Sequence, residues 1–247
     1  AVVGANLSGL TILNEQYGLV TGDGIRRIDL KSLNNVRIKN ERMLCFYNSI
    51  IYNGKVLSND TYKDESKVKY YDVNELIAAK EGEAPAVTEL DIIQKQKINF
   101  VLAKDGNVYT LESADNGCNI VKIKNDFTLE KVFANFQPAK GPYHSSPTIG
   151  MVASETENII YLVSTDGAIY KYILGDSDSL KAPFIAAESG VSITAPLQLN
   201  QQSGELYVTY TEELKDESKI VVYNKDGKAL HTVDCGESVP SQILFNN

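Results

Sequence analysis

The chain has 247 residues, 43% of them hydrophobic, and its 32 acidic against 24 basic residues give a formal net charge of −8. This balance argues against a nucleic-acid backbone and against a polybasic membrane contact as partners, because both require clustered lysine and arginine. No apolar run approaches the roughly 20 residues that span a bilayer, so we expect no transmembrane segment.

The strongest pattern along the chain is a recurring group of four short β-strands. First strands are predicted at 10–13, 43–49, 98–103, 148–154 and 195–200, and second strands at 17–22, 55–62, 108–113, 159–164 and 206–211. Third strands are predicted at 25–30, 68–73, 121–126, 169–174 and 220–225, and fourth strands at 36–39, 87–92, 129–134, 182–187 and 229–234. Their valine, isoleucine, tyrosine and threonine residues suit a pleated, half-buried surface. A single short helix is predicted at 74–80.

Tight-turn signals separate the second and third strands of each group. They are GDG at 22–24, DNG at 115–117, TDG at 165–167, and the pentapeptide KDESK at 63–67 and again at 215–219. Asp-Gly and Asn-Gly supply the positive φ angles that two-residue hairpins need. Five groups at a spacing near 49 residues are typical of β-propeller blades, whose repeat is about 40–50 residues.

We therefore predict an all-β fold with one β-propeller domain over 1–247, built of four-stranded antiparallel blades. Five blades are predicted, at about 8–40, 43–92, 98–137, 146–190 and 191–237. Residues 239–245 form a further predicted strand that closes the ring, since terminal strands of a propeller usually share a blade. Two alternatives stay open: a β-sandwich with coincidental spacing, and a fragment of a larger propeller.

Acidic residues are missing from the predicted first strands, which line the axis of a propeller. Five-bladed glycoside hydrolases place paired carboxylates there, so we predict that the chain is not an enzyme. The acids lie in turns instead, at Asp64, Glu65, Asp216, Glu217 and in GDSDS at 175–179. That segment resembles a calcium loop but lacks its glycine and distal glutamate, so we expect no metal and no cofactor.

The three cysteines, Cys45, Cys118 and Cys235, are widely spaced and odd in number, which argues against a disulfide framework and a zinc site. We interpret them as buried, unreactive thiols. The N-terminus shows no basic region ahead of a long apolar stretch. The chain is therefore either cytosolic or has lost a targeting segment.

Candidate binding residues fall into two sets. The segment KGPYHSSP at 140–147 precedes a predicted first strand and should lie at one mouth of the channel, where Tyr143, His144 and Ser145 can contact a small molecule or glycan. A rigid connector without a ligand also explains this segment. The second set consists of polar residues on predicted first strands: Tyr47, Asn48, Asn99, Gln198 and Asn200. Ordered water in the channel explains that set equally well.

Three stretches carry a family resemblance: GLVTGDGIRRIDLKSLN at 18–34, GKVLSNDTYKDESKVKYYDVNEL at 54–76, and residues 204–245. They resemble blades of the YncE-like surface β-propellers of Bacteroidetes, and 204–245 matches best because it ends in "DG-K, apolar strand, G, P, apolar strand". The resemblance implies a lipid-anchored or secreted protein without an assigned enzymatic activity. Some members lie beside outer-membrane transporters and capture a nutrient such as cobalamin.

We expect an extracytoplasmic binding or interaction module, at the cell surface or in the periplasm after removal of a signal segment. Its expected partner is a small molecule or glycan, or a cell-surface protein such as an outer-membrane transporter, and not a nucleic acid. Two alternative functions stay open. One is a carbohydrate-active enzyme with loop-borne carboxylates, and the other is a protein-interaction scaffold that uses the KDESK hairpins.

Overall fold

The computed structural model describes residues 9–22, 24–39, 49–59, 66–83, 85–95, 99–139, 150–212, 217–240, 243 and 245. These residues form twenty β-strands, one short α-helix and one short 3₁₀ helix, which confirms the all-β prediction. The chain divides into two compact units, residues 1–100 and residues 101–247. No helix within the described residues is long and apolar enough to cross a membrane.

The first sheet of the first unit pairs its four strands in chain order. These strands are β1 (Gly9–Ile12), β2 (Tyr17–Gly22), β3 (Gly24–Asp29) and β4 (Asn35–Lys39). After β3, one Asp29 carboxylate oxygen accepts hydrogen bonds from the backbone N–H groups of Ser32 and Lys31, at 2.7 and 3.1 Å. The bond from the Ser32 N–H, followed by the bond from the Gln16 side chain, lowers the pKa of Asp29 to about 2.

The second sheet has the same strand order and carries the helix. Its elements are β5 (Ile50–Tyr52), β6 (Lys55–Asn59), β7 (Ser66–Asp72), α1 (Val73–Ala78) and β8 (Val87–Gln94). Asp72 caps α1 by accepting hydrogen bonds from the N–H groups of Asn74 and Glu75. The strand that pairs with β6 lies at 50–52, and Asn53 and Gly54 form the turn between the two strands with φ angles of 46° and 70°. Of the first strand predicted at 43–49, residues 43–48 lie outside the described residues.

The first sheet of the second unit again pairs four strands in order: β9 (Val101–Leu102), β10 (Val108–Ala114), β11 (Gly117–Ile123) and β12 (Leu129–Phe136). The predicted DNG turn is confirmed, since Ala114 pairs with Gly117 around two turn residues. Gly117 has a φ of +106°, and a Cβ there would lie 2.5 Å from the carbonyl oxygen of Phe136. The turn therefore requires glycine at this position.

The next sheet contains β13 (Met151–Ala153), β14 (Ile159–Val163) and β15 (Ile169–Ile173), followed by the 3₁₀ helix (Ser177–Leu180). The fourth strand predicted at 182–187 is wrong. Ile185 makes only an isolated bridge to Ile169, and Pro183 has no N–H to contribute to a ladder.

The last sheet consists of β16 (Val191–Ile193), β17 (Gln198–Leu199), β18 (Leu206–Glu212), β19 (Ser218–Tyr223) and β20 (Ala229–Gly236). Both β16 and β17 pair with β18, at opposite ends of it. The first strand predicted at 195–200 is therefore replaced by two short pieces, and Pro196 lies in the interruption between them.

Each unit has its own hydrophobic core between sheets. In the first unit, residues of β2, β3 and β4 pack against residues of β6, β7 and α1, among them Leu19, Ile25, Ile38, Val56, Tyr71 and Leu76. In the second unit, residues of β14 and β15 pack against residues of β18 and β19, among them Tyr161, Val163, Ile169, Leu206, Val208 and Tyr210. Adjacent sheets are thus joined face to face by apolar side chains.

Candidate functional site

Three inner strands of the second unit lie together. Strand β13 contacts both β9 and β17, which are the inner strands of the sheets before and after it. On each strand one side chain is not fully buried: Leu102 is 45% exposed, Gln198 is half-buried, and Val152 is half-buried and packs against the core of the second unit. We call Leu102, Val152 and Gln198 the inner-strand site. Its side chains are uncharged, so this arrangement suits binding better than acid–base chemistry.

Gln198, a predicted binding residue, contacts the C-terminal part of the chain. Its side-chain oxygen accepts a hydrogen bond from the backbone N–H of Ile243 at 2.7 Å. Beside it, the rings of Tyr207 and Phe245 meet edge to face with centroids 5.0 Å apart. Residues 239–245 are the predicted closing strand, and of these Val239, Pro240, Ile243 and Phe245 lie outside strands. The others in that range are outside the described residues.

Asn200, the second predicted binding residue that the structure describes, organises a turn. Its side-chain oxygen accepts hydrogen bonds from the N–H groups of Gln202 and Ser203, at 3.0 and 3.2 Å. Its own N–H donates to the carbonyl oxygen of Glu205 at 3.0 Å. This is a local turn role of the kind that asparagine often has between strands. A ligand contact by Asn200 stays a prediction.

Gln201 has a role at this site that the sequence did not indicate. Its side-chain amide donates to the carbonyl oxygen of Ala153 at 3.0 Å and accepts from the N–H of Glu155 at 2.9 Å. The opposite edge of β13 pairs with β14. The Gln201 side chain therefore makes two hydrogen bonds with the backbone of and just after β13, as a neighbouring strand would. These bonds join the last sheet to the preceding one. Sequence reasoning missed this contact because Gln201 and Ala153 belong to different sheets and are 48 residues apart.

Of the other predicted binding residues, Asn99 is half-buried and lies just before β9, outside any strand. Tyr143, His144, Ser145, Tyr47 and Asn48 lie outside the described residues. The connection at 140–149 follows Ala139, whose N–H donates to the carbonyl oxygen of Val163 at 2.8 Å. It leads, through Gly150, into β13 of the inner-strand site. Residues 63–65 and 215–216 of the two KDESK hairpins are likewise outside the described part of the chain.

Ion pairs hold the acidic side chains of the turns in the second unit. Lys122 lies 2.8 Å from the Asp105 carboxylate, which also accepts a hydrogen bond from the Tyr109 hydroxyl at 2.9 Å. Burial opposes ionisation of Asp105, but these hydrogen bonds outweigh it and hold its pKa below the usual range. A hydrogen bond from Lys225 likewise lowers the pKa of Glu157. Both carboxylates are therefore ionised and paired near neutral pH.

A concave feature lies beside α1 in the first unit. It is an open cavity of about 440 Å³ that is lined by Glu75, Glu83, Pro85 and Ala86 among others. Glu75 accepts a hydrogen bond from the N–H of Ala86 at 3.2 Å, and Glu83 accepts one from the N–H of Lys80 at 2.8 Å. Glu83 is a loop-borne carboxylate of the kind that the hydrolase alternative requires, whereas Glu75 belongs to α1. Among the described residues, no group of three histidine, cysteine or acidic side chains is placed to hold a metal ion.

The family of the chain follows from comparison with known proteins. The profile of a domain of unknown function, DUF5074, matches residues 4–246. The chain belongs to this family. A comparison with curated proteins finds no match.

Solved structures extend this DUF5074 assignment to the fold. The chain is 98% identical to a quinonprotein alcohol dehydrogenase-like protein from Bacteroides thetaiotaomicron, with a TM-score of 0.95. The match covers 100% of this chain and 59% of that chain. It is similar to TolB from Acinetobacter baumannii, with 9% identity, a TM-score of 0.56, and coverage of 94% and 56%. It is also similar to virginiamycin B lyase from Staphylococcus aureus, with 14% identity, a TM-score of 0.53, and coverage of 99% and 76%.

These findings establish the fold class of this DUF5074 protein. It is an all-β chain with the β-propeller fold, built mainly of four-stranded antiparallel sheets, as the repeat pattern predicted. The chain spans well under two thirds of the first two structures that it matches. The number of blades stays a prediction.

Proposed function

We propose that this DUF5074 protein is an extracytoplasmic binding module that captures a small molecule or glycan at the inner-strand site and the adjoining connection at 140–147. The observation that carries the proposal is the set of accessible, uncharged side chains on three adjoining inner strands. Leu102 offers apolar surface and Gln198 adds an amide, while the half-buried Val152 packs against the core of the second unit. Ligand sites commonly combine a mainly apolar wall with a few polar groups in this way.

The ionisation of the acidic side chains also favours binding over hydrolysis. Among the described residues, every carboxyl group with a resolved pKa shift is shifted downward, because hydrogen bonds and lysine side chains stabilise its charge. A general acid for glycoside cleavage needs a pKa that is raised toward neutrality. The chemistry of these acids therefore supports a non-enzymatic role.

The proposed location and partner follow from the sequence and its near-identical relative. That relative comes from Bacteroides thetaiotaomicron, which supports a relationship to the YncE-like surface propellers of Bacteroidetes. Members of that group work outside the cytoplasm, so we place this protein at the cell surface or in the periplasm. A cell-surface protein such as an outer-membrane transporter would then receive the captured ligand.

The proposal is tested by thermal-shift measurements with neutral oligosaccharides and cobalamin, followed by calorimetry on any probe that raises Tm. Leu102→Lys should abolish the shift, because it places a charge in the inner-strand site. Leu230→Lys is the matched control, since Leu230 is 42% exposed against 45% for Leu102 but lies on the outer strand β20. A shift that survives Leu102→Lys, or no shift with any probe, would contradict the inner-strand site.

The connection at 140–147 is tested separately by substitution. Of the two histidines of the chain, His144 is the tested residue and His231 is the control. Combining Tyr143→Ala with His144→Ala should weaken binding of the same probe by about tenfold, equal to the loss of about 1.4 kcal/mol of contact. His231→Ala is the control, because His231 is exposed on β20. Unchanged affinity in the double variant would remove this connection from the site.

Glycan hydrolysis is the second candidate function, and the cavity beside α1 favours it by bringing Glu75 and Glu83 to one surface. Release of reducing ends from an oligosaccharide panel would reveal such activity. If these carboxylates catalyse it, Glu75→Gln and Glu83→Gln should each reduce the rate by at least about a hundredfold. Retention of activity in both variants would exclude this cavity as the hydrolytic site.

A further inference from the structure

Two residues near the end of the second unit, Ile243 and Phe245, contact the last sheet. The backbone N–H of Ile243 donates a hydrogen bond of 2.7 Å to the side-chain oxygen of Gln198 on β17. The Phe245 ring meets the Tyr207 ring on β18 edge to face, with centroids 5.0 Å apart. We call Ile243 and Phe245 the strap.

The strap reaches from one strand to the next. Gln198 lies directly opposite Tyr207 in the pairing of β17 with β18. Side chains of such a pair share one face of the sheet and are about 5 Å apart. Alternate residues of an extended chain are about 6.6 Å apart, so positions 243 and 245 are spaced to reach both side chains. The two contacts therefore belong to one short stretch that lies across the two strands.

Side-chain contacts, and not a β-ladder, connect the strap to the sheet. Ile243 and Phe245 lie outside strands, whereas β20 pairs with β19 along its whole length from Ala229 to Gly236. A segment with so few connections opens locally at a free energy far below that of global unfolding. The strap is therefore able to leave the sheet while the sheet stays folded.

The sheet side of the contact is held in place by its own neighbours. The Glu205 carboxylate accepts hydrogen bonds from the hydroxyl groups of Ser203 and Tyr207, at 3.0 and 3.4 Å. Leu199 and Leu206, which are adjacent in sequence to Gln198 and Tyr207, are buried in the core of the second unit. The two strands therefore keep their positions when the strap leaves, and the Gln198 oxygen becomes available to another donor.

The strap and a ligand of the inner-strand site would use the same groups. Gln198 is the polar member of that site, and the Ile243 nitrogen lies 2.7 Å from its oxygen. This is the distance at which a ligand hydroxyl would donate to the same oxygen. The Tyr207 ring beside it is a flat surface with a polar tip, and Phe245 already packs against that ring.

We propose that the strap is an autoinhibitory segment of the inner-strand site, which occupies Gln198 and Tyr207 in the free protein and is displaced by an uncharged ligand. This inference rests on the proposed function of that site. A ligand that binds only the detached state has an apparent affinity reduced by the detached fraction. A detached fraction of about a tenth, at the upper end for a minor state, lowers the affinity about tenfold.

Calorimetry on the full-length protein tests the competition, with the neutral oligosaccharide or cobalamin probe that raises Tm. Phe245→Ala removes the ring contact, and Ile243→Pro removes the hydrogen bond because proline has no N–H. Each variant should bind the probe about three- to tenfold more tightly than the unsubstituted protein. Phe245→Tyr is the matched control, since it keeps the ring, and its affinity should change by less than about twofold.

Hydrogen exchange at the Ile243 amide tests the strap without a ligand. Gln198→Ala should accelerate this exchange about tenfold, because it removes the acceptor of the Ile243 N–H. Gln202→Ala is the control, since the Gln202 side chain is exposed in the following turn, and it should leave the exchange unchanged. A saturating concentration of the probe should also accelerate the exchange in the unsubstituted protein.

The outcomes separate the strap from the site. Equal or weaker probe affinity in Phe245→Ala and Ile243→Pro would overturn the competition and leave the capture function standing. Unchanged Ile243 exchange in Gln198→Ala would overturn the strap contact itself. If no probe binds the unsubstituted protein or either strap variant, the proposed function fails and the autoinhibition fails with it, whatever the exchange rate.

Discussion

The bridge from Gln201 to β13 gives the sharpest test of how neighbouring sheets are joined. Gln201→Ala removes two hydrogen bonds, one to the Ala153 carbonyl oxygen at 3.0 Å and one from the Glu155 N–H at 2.9 Å. Ala153 is only 6% exposed, so its carbonyl oxygen loses a partner in a place where water has little access. Such a loss is more costly than breaking an exposed hydrogen bond.

The magnitude follows from these two bonds. An exposed hydrogen bond contributes about 0.5–1.5 kcal/mol, and a buried acceptor left without a partner costs about 1–3 kcal/mol. We expect Gln201→Ala to lower the free energy of unfolding by about 2–3 kcal/mol, which corresponds to a fall in Tm of about 5–10 °C for a chain of this size. Urea denaturation and calorimetry measure both quantities.

Two further variants separate the bridge from a general effect of the turn. Gln202→Ala is the matched control, because the neighbouring Gln202 side chain is exposed, and we expect a change below about 0.5 kcal/mol. Gln201→Glu should be worse than Gln201→Ala at pH 7, since a carboxylate oxygen would face the Ala153 carbonyl oxygen. Equal stabilities of Gln201→Ala and Gln202→Ala would refute the reasoning.

Three other expectations concern a turn, a carboxylate and the thiols. Gly117→Ala should cost about 2–4 kcal/mol because its Cβ would meet the backbone, whereas Gly106→Ala, with a φ of +74° and open space around it, should cost about 1 kcal/mol in the same urea titration. Asp29 stabilises the fold above the ordinary aspartate pKa, and this stabilisation is lost as the pH falls toward its folded-state pKa of about 2. The stability difference from Asp29→Asn should therefore shrink between about pH 5 and pH 2, and an unchanging difference would contradict the lowered pKa. Burial raises the pKa of the Cys118 thiol to about 11, so iodoacetamide should label the half-buried Cys235 before Cys118, as mass spectrometry of the native protein can show.

Local patterns were sufficient to predict most of the sheets. The DNG turn at 115–117 and the run before it correctly predicted β10, and the strand predicted at 121–126 overlaps β11 at 121–123. The errors occurred where a single residue interrupts a ladder. Pro183 and Pro196 both lie within predicted strands, and each lacks the N–H that a continuous strand would donate. No strand was predicted at 50–52, where the Asn53-Gly54 turn joins β5 to β6.

The candidate site was less predictable, because side-chain roles depend on neighbours that are distant in sequence. Gln198 and Asn200 looked alike as polar residues on an inner strand. The structure separates them: Gln198 contacts Ile243, whereas Asn200 binds the N–H groups of its own turn. Gln201, which makes the contact between sheets, has no local feature that distinguishes it from Gln202. Such roles become visible only when β13 and β17 are brought together.

The acidic balance of the chain is explained by its turns. Asp29, Asp105, Asp126 and Asp166 each accept a hydrogen bond through one carboxylate oxygen from the backbone N–H two residues later, at 3.0 to 3.1 Å. Aspartate is well suited to this role because its short side chain reaches the N–H groups of a tight turn. A fold with many hairpins therefore accumulates negative charge for structural reasons. Part of the net charge of −8 is thus a property of the fold, and the uncharged inner strands are the first place to test for a ligand.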